Sequence, residues 1–158
     1  PYVSEGMKVL DFGCGFGHFS IGMARMVGET GQVIAADIQQ KVLDKTMARA
    51  ARQGVERRIT PLLCRQESGI GTPLEPDFIL ACNSMHETPD IKMQLREMRS
   101  LLRPGGRLLL MEPAGHLKPH EFEGEVALAL EAGFVEVERP RITKEMAVLL
   151  EKPQESKS

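Results

Sequence analysis

Residues 9–20 read Val9-Leu10-Asp11-Phe12-Gly13-Cys14-Gly15-Phe16-Gly17-His18-Phe19-Ser20, a short apolar run that ends in three glycines at alternate positions. Glycine adopts positive φ readily and lets another molecule approach the backbone, because it has no Cβ. An amphipathic segment follows, and its predicted apolar face holds Phe19, Met23, Met26 and Val27. The stretch therefore predicts a strand, a tight turn and a helix whose N-terminal N–H groups face a ligand.

The composition indicates one domain without a strong charge bias. A chain of 158 residues is long enough for a real core. Lys and Arg number 20 against 22 Asp and Glu, and this net charge of -2 argues against a polyanion partner held by bulk charge. Three cysteines without tight spacing favour a reduced, cytoplasmic protein, and no Cys/His spacing indicates a metal site. No apolar run is long enough to span a membrane.

Along the rest of the chain, apolar runs alternate with amphipathic segments five times and end in a pair of alternating strands. This pattern predicts a three-layer α/β domain with a mostly parallel sheet. Strands are predicted at Met7–Phe12, Gln32–Asp37, Arg58–Cys64, Asp77–Asn83, Leu108–Glu112, Phe134–Arg139 and Met146–Glu151, and helices at His18–Val27, Gln39–Gln53, Ile91–Leu102 and Glu121–Ala132. Pro61 argues for an edge position or a short length of the third strand.

Asp37 ends the second predicted strand, 20 residues beyond Gly17. A carboxylate so placed can accept both ribose hydroxyls of a nucleoside. Its alternative role is to cap the helix that follows. Ile38, the next residue, can pack on an adenine ring or belong to the core.

The pattern Asp11-x-Gly13-x-Gly15-x-Gly17 resembles motif I of the class I S-adenosylmethionine-dependent methyltransferases. Asp37, the loop Asn83–Asp90 and the Leu-x-Pro-Gly-Gly turn at residues 102–106 follow in the order typical of that family. The resemblance covers about residues 5–152 and is closest to small-molecule enzymes of the ubiquinone and menaquinone biosynthesis type. It implies a Rossmann-like, seven-stranded sheet in the order 3-2-1-4-5-7-6, with the last strand antiparallel.

The same resemblance implies the domain organisation. We expect residues 1–152 to form the methyltransferase domain, without most of the N-terminal lid segment common in the family, and residues 153–158 to form a polar tail.

The resemblance also assigns a cofactor site for S-adenosylmethionine. The backbone of the glycine turn would approach the ribose and methionine portions, and Asp37 and Ile38 would hold the ribose and the adenine. Asp11 would favour the ammonium group, directly or through water, or else would anchor the turn by a hydrogen bond. The assigned cofactor-binding residues are Asp11, Gly13, Cys14, Gly15, Gly17, Asp37, Ile38, Gln66 and Asn83. At Gln66 this chain departs from the family, which usually has an acidic residue near that position.

Catalysis is less constrained by the sequence. The transferred methyl is already activated, so the protein needs only to align a nucleophile and exclude water. His86 and Glu87 are the candidate proton acceptors, and histidine titrates near neutrality. The alternative is that His86 is a surface residue at the entrance to a helix.

Three functions compete at this point. The first is in-line transfer of a methyl group to a small-molecule acceptor, and the second is a non-catalytic module that binds the cofactor or a partner protein. The third, a nicotinamide dehydrogenase, is disfavoured because His18 stands where the dinucleotide fingerprint requires its third glycine. One Tyr and no Trp offer little stacking surface, which disfavours nucleic acid. The oligomeric state is left open.

Overall fold

The computed structural model describes residues 2–13, 15, 17–64, 74–82 and 90–154. In the described residues a helix follows β1, β2, β4 and β5, and a short 3-10 turn at Glu56–Arg58 precedes β3. The strands are β1 Lys8–Phe12, β2 Gln32–Asp37, β3 Ile59–Leu63, β4 Phe78–Cys82, β5 Arg107–Pro113, β6 Val135–Glu138 and β7 Glu145–Glu151. The helices are α1 His18–Val27, α2 Gln40–Arg52, α3 Ile91–Leu101 and α4 Pro119–Glu131.

The strands form one seven-stranded sheet in the order β3-β2-β1-β4-β5-β7-β6. Strands β1 to β5 pair in parallel, and β7 lies antiparallel between β5 and β6. The predicted order and the antiparallel last strand are therefore confirmed. Pro61 lies in β3 at the sheet edge, as predicted, where a missing N–H donor is tolerated.

Apolar side chains cover both faces of the sheet, which explains why the parallel strands are nearly continuous hydrophobic runs. In β1, Val9 and Leu10 are adjacent and point to opposite faces, and both are fully buried. Leu10 belongs to the cluster under α3 and α4, and Val9 belongs to the cluster under α1 and α2. The carboxyl ends of β1, β2 and β4 meet at one edge between these two layers, so the loops that leave them converge there.

The predicted apolar face of α1 is wrong in two positions. Phe19 and Met26 are 40% and 52% exposed, whereas Ala24 and Val27 are fully buried. At about 100° per residue, Phe19 and Met26 lie about 140–160° around the helix from Ala24. The buried face follows the small and aliphatic residues that fit against β1 and β2, and two large apolar side chains are left facing outward.

Helix α4 also leaves an apolar residue outside the core. Leu130 is 46% exposed, whereas Glu125 is buried. Phe122 and Val126 are buried. Burial in α4 thus follows helical position rather than residue polarity.

Candidate functional site

The glycine turn links β1 to α1 at the carboxyl edge of the sheet. Its three glycines have left-handed backbones, with φ of 70° at Gly13, 56° at Gly15 and 85° at Gly17. The Gly13 N–H donates to the carbonyl of Ala36 at 2.9 Å, which extends the β1–β2 pairing into the turn. Residues with a Cβ rarely adopt this conformation, so the backbone itself accounts for the glycine spacing.

Gly15 and Gly17 face different surroundings. A Cβ on Gly17 would lie 2.7 Å from Cγ2 of Thr46, so this glycine is required by the packing of α2 on the turn. A Cβ on Gly15 would meet no described atom within 4 Å. The turn therefore packs against α2 at Gly17, whereas at the Cβ position of Gly15 no described atom packs against it.

Thr46 of α2 is a turn contact that the sequence analysis missed. Its fully buried hydroxyl lies 3.0 Å from the Gly15 carbonyl oxygen and 2.9 Å from the Val42 carbonyl oxygen. Its single proton can bond either oxygen. The sequence signal was a polar residue spaced by three and four positions from Leu43 and Ala50, with which it shares the buried face of α2.

Asp37 lies at the end of β2 and is half-buried. One carboxylate oxygen accepts from the Gln39 N–H at 3.0 Å, and the other lies 3.4 Å from the Gly15 nitrogen. Helix α2 begins at Gln40 with Gln39 as its N-cap, so Asp37 is not the cap of that helix. Instead, its carboxylate connects the loop after β2 to the glycine turn.

Asp11 lies under the turn with 2% of its surface exposed. One of its carboxylate oxygens accepts from the Ser20 hydroxyl at 2.6 Å, and this is the anchoring contact considered from the sequence. Burial raises the pKa of Asp11 to about 6, and the Ser20 hydrogen bond partly opposes that rise. Contact between Asp11 and an ammonium group stays a prediction.

The remaining predicted site residues divide into two groups. Ile38 is 50% exposed next to Asp37, on the rim of the same edge. Packing of Ile38 on an adenine ring stays a prediction. Five of the predicted residues lie outside the described part of the chain: Cys14, Gln66, Asn83, His86 and Glu87.

Two cysteines lie near this edge, at the ends of β3 and β4. Burial raises the pKa of Cys64 to about 11 and that of Cys82 to about 12. Both thiols are therefore protonated at neutral pH and are poor nucleophiles.

Within the described residues no group of three or more His, Cys, Asp or Glu side chains is arranged to hold a metal ion. In the same part of the chain, no helix combines the length and apolar character needed to cross a membrane.

Comparison with known proteins identifies the family of this chain. The model of a methyltransferase domain family matches residues 3–148. A ubiquinone/menaquinone biosynthesis C-methyltransferase UbiE from Cellvibrio japonicus is 36% identical over 118 residues, which are 75% of this chain and 46% of that protein. Methyltransferase GfsG from Streptomyces halstedii is 36% identical over 113 residues, 70% of this chain and 39% of that protein. The chain thus spans less than half the length of these curated relatives.

A solved structure agrees with the sequence relatives. The crystal structure of a SAM dependent methyltransferase from Aquifex aeolicus matches with a TM-score of 0.81 and 26% identity. The match covers 95% of this chain and 84% of that one. The glycine turn, the sheet order and these matches agree, and the chain therefore belongs to the class I S-adenosylmethionine-dependent methyltransferases.

Proposed function

We propose that this chain holds S-adenosylmethionine at the carboxyl edge of β1, β2 and β4 and transfers its methyl group to a small-molecule acceptor. The observation that carries the proposal is that no described atom lies within 4 Å of a Cβ placed on Gly15, while the carboxylate of Asp37 lies beside its nitrogen.

The described residues fit a nucleoside at this edge. Gly15 has no Cβ, and no described atom occupies the space that a Cβ would face, so a sugar or an amino-acid chain can approach its backbone closely. Asp37 is half-exposed, and a carboxylate can accept both hydroxyls of a ribose. Ile38 offers an exposed apolar surface beside it for the face of an adenine ring.

When bound, the cofactor supplies a methyl group that its sulfonium already activates. The chain's task is to orient the acceptor in line with the methyl–sulfur bond and to exclude water. We assign His86 and Glu87, which follow β4 in the chain, as candidate proton acceptors. Asn83 and Gln66 complete the proposed cofactor contacts, through a backbone carbonyl and a side-chain carbonyl respectively.

The acceptor is proposed from the relatives' names together with chemistry. UbiE is named a C-methyltransferase of ubiquinone and menaquinone biosynthesis. We therefore propose an electron-rich ring, such as a hydroquinone, as the acceptor of this chain. A ring carbon would form the new bond to the methyl while the methyl–sulfur bond breaks and its electron pair stays on sulfur, which leaves S-adenosylhomocysteine. A hydroxyl proton would pass to the base as this bond forms. The ring proton would then pass to water to restore aromaticity, and the base would return its proton to the ring oxygen. We place this reaction in the cytoplasm, because the three cysteines favour a reducing compartment.

Two measurements test the proposal. Calorimetric titration with S-adenosylhomocysteine should show one site, and transfer of a labelled methyl group to a short-chain hydroquinone should depend on S-adenosylmethionine. His86→Ala should lower turnover by roughly 10²–10⁴ while leaving product affinity nearly unchanged, because it removes only the base. Binding without transfer to any acceptor would favour the non-catalytic module, and absence of binding would contradict the cofactor site.

A further inference from the structure

A groove runs along the outer face of α1 and the end of α2, from His18 at the start of α1 to Arg49 and Gln53 at the end of α2. Its volume is about 320 Å³, in the range of small ligand sites. Phe19, Met23 and Met26 supply apolar lining, and Arg25 and Arg49 supply cationic groups. None of the lining residues carries a carboxylate. Phe19 and Met26 are 40% and 52% exposed, seven residues apart on one side of α1.

The surface beside this groove is strongly basic. Residues 40–58, which include α2 and the 3-10 turn, contain six Lys or Arg and only two acidic residues. Lys41, Lys45, Arg49 and Arg52 are spaced by three or four residues and therefore share one face of α2. Because Arg49 borders the groove, this basic row lies beside the exposed apolar side chains of α1.

One segment on the far side of the molecule has the opposite charge. Residues 119–151, which include α4, β6 and β7, contain eight acidic residues and three Lys or Arg. Helix α4 packs on the other face of the sheet from α1 and α2, and β6 lies at the far edge from β3. Helix α3 shares the face of α4 but is basic, with Lys92, Arg96 and Arg99 against Glu97. The net charge of -2 thus includes a basic segment beside the groove and an acidic segment at α4, β6 and β7.

We propose that this groove face, defined by Phe19, Met26 and the basic row of α2, binds the surface of an anionic lipid bilayer. Exposed apolar side chains flanked by Lys and Arg are the pattern of interfacial attachment, in which the apolar groups enter the acyl boundary and the cations meet the headgroups. The acidic α4–β6 side would be repelled by such a surface.

An anionic bilayer would use both the cations and the exposed apolar side chains of this face. Nucleic acid would use the cations and would stack a base on Phe19, but it would gain little from Met26, since single strands favour aromatic stacking. An acidic peptide would need only the cations at the groove, whereas exposed charges continue beyond it to Arg52 and Arg57. A continuous anionic surface with an apolar interior meets both groups of side chains.

The test is cosedimentation of the chain with vesicles, performed without cofactor. Vesicles of phosphatidylcholine alone are compared with vesicles containing phosphatidylglycerol. Binding to the anionic vesicles should be the stronger and should fall as salt rises, since headgroup attraction is screened. Arg49→Gln/Arg52→Gln should weaken binding by about 25-fold, at about fivefold for each charge.

Matched variants distinguish binding through the groove face from non-specific adsorption of the protein to vesicles. Phe19→Ala/Met26→Ala should weaken vesicle binding and reduce its salt-resistant part. Leu130→Ala/Val135→Ala removes comparable exposed apolar groups from the acidic side and should change nothing. Arg141→Gln/Lys144→Gln removes the same charge elsewhere and should have little effect. Calorimetry with S-adenosylhomocysteine checks that the groove variants keep their cofactor site, so failure here is distinct from failure of the proposed function.

Several results would overturn the proposal. Equal binding to neutral and anionic vesicles would remove the charge argument, and equal losses in the control variants would remove the groove face. Light scattering that shows a dimer disrupted by Phe19→Ala/Met26→Ala would assign the face to a second copy. Preference for RNA or an acidic peptide over anionic vesicles, with the same variants defective, would assign it to that partner.

Discussion

The Ser20 hydroxyl of α1 donates a hydrogen bond to the buried carboxylate of Asp11 in β1, at 2.6 Å. The bond ties the start of the helix to the strand across the glycine turn. It satisfies one oxygen of an acid with 2% of its surface exposed. An ionised carboxylate in such surroundings destabilises the fold. We therefore expect Asp11 to have a functional role in addition to anchoring the turn.

Asp11→Asn should stabilise the fold at neutral pH and weaken cofactor binding. The pKa of Asp11 rises from 3.8 to about 6 on folding, so the native state holds its proton more tightly than the unfolded state. Asp11 therefore contributes stability below pH 4 that is lost as pH rises to 6, amounting to about 3 kcal/mol. Urea unfolding at pH 4 and pH 7 should show the variant gaining relative to wild type by about that amount.

The control for this prediction is Ser20→Ala. Removing the donor takes away the interaction that lowers the pKa of Asp11, so the pH-dependent loss should extend to higher pH. A stability difference between Asp11→Asn and wild type that is the same at both pH values would contradict the assigned cause. Unchanged affinity of Asp11→Asn for S-adenosylhomocysteine would leave Asp11 as a structural anchor alone.

Gly15→Ala and Gly17→Ala form a matched pair. Both introduce a Cβ at positive φ, which costs about 1–2 kcal/mol. Only the Cβ at Gly17 meets Thr46, so this variant should lose roughly 2–4 kcal/mol of unfolding free energy. Gly15→Ala should fold with a smaller loss but should bind S-adenosylhomocysteine at least about tenfold more weakly, because its methyl enters the proposed site.

A double variant tests whether contact with Thr46 causes the loss of stability in Gly17→Ala. Thr46→Ser removes Cγ2 and keeps the hydroxyl that lies near the Gly15 carbonyl. In a double-mutant cycle, Gly17→Ala combined with Thr46→Ser should therefore be more stable than the sum of the single changes predicts. Strict additivity would show that the backbone conformation alone makes Gly17 necessary.

Asp37→Ala should weaken binding of S-adenosylhomocysteine by roughly 1–3 kcal/mol, because two ribose hydroxyls would lose their acceptor. Asp37→Asn is the matched variant, since its side-chain oxygen can still accept from the Gln39 N–H but can no longer serve both hydroxyls. Calorimetry on both variants separates the two roles. Equal affinities in wild type and both variants would remove Asp37 from the site.

The sequence predicts the order of elements well because the information is local. Helix His18–Val27 and strand Gln32–Asp37 have the predicted bounds, since glycines and apolar runs mark both ends. Which face of a helix is buried is harder to predict than where the helix begins and ends, because Phe19 is as apolar as a core residue and yet lies on the outer face. Thr46 was missed because its contact with Gly15 spans 31 residues, and periodicity carries no information about such long-range pairs.

Glu125→Gln should stabilise the protein above neutral pH. Glu125 of α4 is 4% exposed, and its Oε2 has no hydrogen-bond partner among the described residues. Burial, followed by the charges of Glu112 on β5 and Glu121 on α4, raises its pKa from 4.5 to about 8.

The neutral form of Glu125 therefore favours folding below pH 4.5, and that contribution is lost as pH rises to 8, by roughly 2–5 kcal/mol. Thermal unfolding at pH 5 and pH 8.5 should show the variant gaining stability over wild type at the higher pH. Glu131→Gln, an exposed change on the same helix, should show no such pH-dependent gain, and a similar gain there would assign the effect to the overall charge of α4.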